Sequence, residues 1–286
     1  MNLRNFTLAL GCVAIFGSLN AQNNQADVQQ VGNDNLIEVN QVGAANRTRS
    51  VVTGDRNSKN VRQEGQNNVT DSEVQGSDNL IIVQQIGNNN ASNQTVTSSN
   101  SNALVNIAGN GNATNQHMTS EESNAEITIT GDGNFALQNQ VGVTKNNSVI
   151  GITGNNNRAT ISQEGENNGH NVSQIGNANF AVSTQKGKSN TVGFDQLGND
   201  NTVNLLQEGD NNFAGDVATG STLPRTRQEG DNNELILVQK GNSNSGVTVQ
   251  LGNANHSVVE QTGLDNKSNV SQTGNNNAAT VKQSDN

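Results

Sequence analysis

An enzyme or a metal site needs histidines, carboxylates or a nucleophile held at fixed spacing. This chain of 286 residues offers few such groups, and they do not converge. His117, His170 and His256 fall at three different places of an eleven-residue repeat, so they cannot stack into a metal ladder. Glu64, Glu164, Glu208 and Glu229 each stand just before a glycine. A row of charges there would be a solvated edge that limits sideways aggregation. Asp34, Asp200, Asp210 and Asp231 come shortly after glycines, but the Gly-Gly-x-Gly-x-Asp nonapeptide of calcium-binding β-rolls is absent. No catalytic residue, cofactor site or metal site is expected, and the chain is not read as an enzyme.

What does recur is amide chemistry. Gln41, Gly43 and Asn46 form one unit, and Gln63, Gly65 and Asn68 another. The clearest run has Gln163, Gly165 and Asn168, then Gln174, Gly176 and Asn179, then Gln185, Gly187 and Asn190, then Gln196, Gly198 and Asn201. Further on stand Gln239, Gly241 and Asn244, then Gln250, Gly252 and Asn255, then Gln272, Gly274 and Asn277. An amide side chain carries two donors and an acceptor. Identical amides stacked one above another can therefore bond rung to rung, and a buried row of them is satisfied rather than costly.

Such stacking needs elements that repeat in space. The glycine returns at gaps of eleven or twice eleven residues from Gly32 to Gly274, with two slips of phase. Gly142 to Gly154 reads as one residue inserted near 146–153, and Gly209 to Gly230 as one residue lost near 213–227. A fixed short period marks a repeat architecture. Counting from the glycine as zero, places three, five, seven and nine form one set, such as Asn35, Ile37, Val39 and Gln41. That alternation is a β-strand with one face turned inward. Gly-x-x-Asn, rich in Asn and Asp, is the turn between strands, built from residues that tolerate positive φ.

The expected fold is all-β. It is a β-solenoid of stacked strand-turn-strand coils, with two parallel sheets, eleven-residue half-repeats and twenty-two residues per coil. Residues 91–130, with Ser98 and Ser120 at the glycine place, and the irregular stretch 213–227 with Pro224 are expected to be its weak points.

Hydrophobic content is 30% and the formal net charge is −10, so neither nucleic acid nor an anionic membrane is an expected partner. Residues 1–21 read as a signal peptide, with Arg4, an apolar stretch and a cleavage site at Leu19-Asn20-Ala21. Residues 22–286 are the repeat region, and without Cys12 it holds no cysteine. Phe135, Phe180, Phe213, Leu80, Ile82, Ile236 and Val238 fall on the outward set, where a lateral contact could form.

With these units in view, the sequence resembles the curlins, the subunits of the bacterial extracellular amyloid fibres called curli. Gly154 to Gln163 and Gly274 to Gln283 carry the likeness. It is closer to the minor, nucleating curlin, because consecutive halves carry the glycine turn. It departs in greater length, in the lack of Tyr, and in the short stretch before the first repeat. The resemblance implies a secreted structural protein that self-assembles into curli-like fibres, or nucleates them, for surface adhesion and biofilm matrix. It also implies contact with other curlin subunits and an outer-membrane curli secretion pore, on the surface of a Gram-negative bacterium. The units at Gln30 and Gln283 show no cap on either side, so head-to-tail contact between copies is expected. The alternative is a monomeric extracellular β-solenoid that binds carbohydrate or ice. Ice would call for a regular outward Thr ladder. Glu38, Arg49, Lys59 and Ile82, read as outward, are mixed.

Overall fold

The computed structural model describes residues 2–8, 11–17, 23–215 and 225–285. Among them there are strands and turns and no helix. Two compact units divide the chain, residues 1–139 and residues 140–286.

In the first unit the strands begin with β1 (Asn2–Leu8), β2 (Gly11–Gly17), β3 (Gln25–Val31) and β4 (Asn35–Ala44). Then come β5 (Arg47–Thr53), β6 (Ser58–Gln66), β7 (Val69–Gln75) and β8 (Leu80–Ile86). They end with β9 (Ala91–Thr97), β10 (Asn102–Ala108), β11 (Ala113–Met118) and β12 (Asn124–Thr130). β13 (Phe135–Gly142) carries the last residues of this unit and the first of the next. The second unit continues with β14 (Asn147–Thr153), β15 (Arg158–Glu166), β16 (Gly169–Ile175), β17 (Phe180–Lys188), β18 (Thr191–Leu197) and β19 (Thr202–Glu208). Its remaining strands are β20 (Phe213–Ala214), β21 (Thr226–Glu229), β22 (Glu234–Asn242), β23 (Ser245–Leu251), β24 (His256–Leu264), β25 (Lys267–Thr273) and β26 (Ala278–Ser284).

Each unit is a β-solenoid with two parallel sheets. Most strands pair with the next but one in sequence, so β3 lies beside β5 and β4 beside β6, whereas β19 pairs with β22. The register is residue to residue at a spacing of twenty-two, as Asn102 to Asn124 and Val105 to Ile127 show. Burial alternates along most strands from β3 onward and sends the odd-numbered places of the repeat inward. Ile37, Val39, Ile81, Val83 and Val105 fill the first unit's core, and Ile150, Ile161, Val172, Leu205 and Leu237 the second's. The segment expected to be a leader supplies β1 and β2, which pair with β3 and β4. The expected cleavage site at Leu19-Asn20-Ala21 lies outside the described residues, as does Pro224.

The geometry of the turns accounts for the glycine and for the residue two places after it. The glycine has positive φ, from +99° at Gly241 to +143° at Gly109. The residue two places on has a left-handed conformation near +56°, at Asn67, Asn89 and Asn156 and also at Ala178 and Arg56. Close stacking is a second reason for glycine at the first place. A Cβ on Gly65 would lie 2.0 Å from the carbonyl oxygen of Gly87 on the next coil.

Three expectations are corrected. The inserted residue sits inside the turn after Gly142 and not at 146–153. Gln140 bonds Gln163 at a spacing of twenty-three, whereas Asn168 already bonds Asn146 at twenty-two. Nor is the stretch 213–227 two units short by a residue. It is one strand interrupted by an insertion, because Thr191 and Val192 of β18 pair with Phe213 and Ala214, while Phe194 to Leu197 pair with Thr226 to Glu229. Across residues 91–130 the strands β8, β10 and β12 run in unbroken register. The ladder uses a carbonyl at the glycine place, and Ser98 supplies one to Asn79 at 2.7 Å. Lys59, read as outward, is buried in the core at 1% exposure.

Candidate functional site

Two kinds of amide column run along the coils. In the first unit Gln41 donates through Nε2 to Gln63 Oε1 at 2.8 Å, and Gln63 to Gln85 at 2.9 Å. In the second unit one sheet links Gln174 to Gln196 at 2.8 Å, Gln228 to Gln250 at 3.0 Å, and Gln250 to Gln272 at 2.9 Å. The other sheet links Gln163 to Gln185 at 2.9 Å and Gln239 to Gln261 at 2.9 Å. Strand geometry sets this up. Place nine points inward, where a chain of amides in low dielectric is strong if satisfied. The same Nε2 atoms also reach backbone carbonyls of the facing strand, as Gln63 does to Arg47 O at 3.2 Å and Gln185 to Gly169 O at 3.1 Å.

The Asn columns hold the turns. Asn68 Nδ2 donates to Asn46 Oδ1 at 3.0 Å, and the backbone N–H of Asn68 donates to the same oxygen at 3.0 Å. Asn179 and Asn201 repeat this contact, as do Asn168 and Asn190. Asn244 and Asn255 take the same place on Asn212 and Asn233, and Asn277 on Asn255. The glycine carbonyls accept the remaining Asn donors. Gly43 accepts from Asn24, Gly65 from Asn46 and Gly165 from Asn146. Gly176, Gly187 and Gly198 accept from Asn157, Asn168 and Asn179. Gly241, Gly252 and Gly274 accept from Asn212, Asn233 and Asn255. The buried amide is thereby tied to the turn above and the turn below.

Sequence reading missed three features. Between residues 94 and 138 the column moves to place seven, where Gln94 donates to Gln116 at 2.8 Å and Gln116 to Gln138 at 2.9 Å. Ile107 and Ile129 take the glutamine place in β10 and β12. The spacing of twenty-two between these glutamines is the signal that was there to find. A second, exposed ladder uses the residue just after the glycine. The side-chain oxygen of Asn177 accepts from the backbone N–H of Asn155 at 3.1 Å, and that of Asn199 accepts from Asn177 at 3.0 Å. The third is a pair of titratable residues inside the core, Lys59 and His170.

The charged outer faces pair across coils. Arg49 meets Asp71 at 2.9 Å, Lys188 meets Glu166 at 3.2 Å and Lys240 meets Glu208 at 3.4 Å. Exposed pairs of this kind each contribute only ~0–1 kcal/mol. The glutamates before the glycines do not form one row. In the second unit Glu229 lies beside Arg227 on one sheet while Glu164 and Glu208 lie on the other, and in the first unit Glu64 lies beside Arg62. Of the histidines, His170 is buried, and His256 bonds Glu234 on the surface at 3.0 Å. His117 lies on β11 in register with Thr95. The outward Phe180 and Leu80 are exposed, and Phe135, Phe213, Ile82, Ile236 and Val238 are half-buried. Among the described residues no three of His, Cys, Asp and Glu come together to hold a metal ion.

The arrangement is suited to templating. Each coil presents on one side the donors and acceptors that it meets on the other. Residues 230–263 match the family described as the curlin associated repeat. That match covers β22, β23 and most of β24, and it supports the curlin family. No curated protein matches the chain.

Proposed function

From a chain that carries the curlin associated repeat on a β-solenoid, we propose a secreted structural protein that builds curli-like amyloid fibres or nucleates them. The observation that carries this reading is the identity of successive rungs. Gln41, Gln63 and Gln85 make the same bond at a spacing of twenty-two, and so do Asn157, Asn179 and Asn201. A strand edge of such a stack is complementary to a strand of a second copy, because it offers the contact each coil already makes within its unit. Copies then add head to tail, and the contact does not close on itself. In this reading the fibre sits at the surface of a Gram-negative bacterium. Its roles there are adhesion and biofilm matrix, with other curlin subunits and an outer-membrane secretion pore as partners.

Purified chain should polymerise from solution, followed by light scattering. The product should diffract with cross-β spacings of ~4.7–4.8 Å and ~10 Å. Addition of its fragments to a second curlin should shorten that protein's lag if this chain nucleates. A chain that stays monomeric and rich in β-structure at high concentration would sink the proposal and favour a solenoid that binds ligands on its outer faces.

A further inference from the structure

Lys59 is the one fully buried cation among the described residues. It stands at an inward place of β6, in register between Ile37 of β4 and Ile81 of β8. Its Nζ donates to the backbone carbonyl of Ser72 on β7 at 2.9 Å. Ser72 and its register partner Ser50 on β5 are fully buried too, and neither hydroxyl has a hydrogen-bond partner. Two small side chains in a column that elsewhere carries Gln94 and Gln116 leave the volume that the lysine stem fills.

No carboxylate enters this part of the core. Glu38 on β4, Arg47 and Arg49 on β5, Arg62 and Glu64 on β6, and Asp71 and Glu73 on β7 are all outward and in contact with solvent, and β8 carries no charge. Arg49 and Asp71 pair with each other. An ammonium has three donors, and a buried unpaired charge is costly.

We propose that Lys59 makes folding of the first unit a proton-releasing step: the amine enters the coil charged, gives its proton to solvent and is enclosed neutral, so alkaline solution favours the coil and neutral-to-acid solution opposes it. Burial, offset in part by Asp71 and reinforced by Arg49, lowers its pKa from 10.5 to about 7. Between those values the unfolded chain holds the proton and the folded chain does not. Stability therefore rises with pH across that window and is flat, at its lowest, below it. Lys59 thus sets a threshold on the first unit that the second does not share.

The test is urea unfolding of the full chain, followed by circular dichroism from pH 6 to pH 10.5, in native protein, Lys59→Met and Lys59→Arg. Native protein should gain up to about tenfold in folding constant per pH unit between 7 and 10. Lys59→Met keeps the stem and loses the proton. It should be more stable than native at pH 7 and lack that increment. Lys59→Arg cannot deprotonate and should not be rescued by alkali. A Met variant that keeps the native pH slope overturns the proposal. So does an Arg variant that folds like native at pH 10. The readout is folding, so the result stands apart from whether the chain forms fibres.

Discussion

Gln163 and Gln185 stand twenty-two residues apart in the chain, and Nε2 of the first donates to Oε1 of the second at 2.9 Å. Gln185 passes the contact on to Gln207 at 3.0 Å. Each amide is a donor on one side and an acceptor on the other, inside a core that excludes water. Gln185→Leu takes the acceptor from Gln163 and the donor from Gln207. Each orphaned group should cost ~1–3 kcal/mol, read as a lower urea midpoint. A Leu variant with the native midpoint would show that packing, not the amide column, holds the second unit.

Glycines of the turn separate into two kinds. A Cβ on Gly87, at φ +127°, would lie 1.9 Å from the carbonyl oxygen of Gly109. A Cβ on Gly111, at φ +65°, would meet nothing within 4 Å. Gly111→Ala should therefore cost only the left-handed backbone penalty of ~1–2 kcal/mol. Gly87→Ala must push two coils apart and should abolish folding of its turn. Equal losses in the two variants would mean that conformation alone, not the close stacking, selects glycine.

Ala178 occupies a left-handed position at φ 56° that Asn fills in several other turns, among them those of Asn67, Asn89 and Asn156. Ala178→Gly relieves that strain and should stabilise the second unit by roughly 1 kcal/mol. The gain would be read as a higher thermal midpoint. No gain, or a loss, would show that the turn's hydrogen bonds outweigh its backbone preference.

His170 responds to acid. It is buried beside Phe194, with ring centroids 6.1 Å apart at 77°. Neither ring nitrogen has a hydrogen-bond partner. Burial, with the charge of Arg225 second, pushes its pKa down from 6.5 to about 3. The unfolded chain takes up a proton between those values and the folded chain does not, so stability is lost as pH falls from 6.5 towards 3. The loss should approach something on the order of 4 kcal/mol. Comparing urea midpoints at pH 7 and pH 3.5 in native protein and His170→Leu isolates it. If both fall equally, other groups govern the acid response.

By itself the sequence determined the strand and turn of each unit, the inward set and the parallel coils of twenty-two residues. The reason is that a glycine, an asparagine and a glutamine at constant phase satisfy local backbone geometry and stacking at once. Tertiary structure decided where that phase could break. An added residue near Gly142 lodges in the turn, because the bonds of Gln140 and Asn146 to the next coil are kept on both sides of it. The longer insertion after Gly215 interrupts a strand whose two halves, Phe213–Ala214 and Thr226–Glu229, still pair with β18. Lys59 shows the same division most plainly. Its place in the repeat is inward while its charge argues for solvent, and the choice rested on Ser50 and Ser72, which leave room across the core, and on the carbonyl that receives its amine.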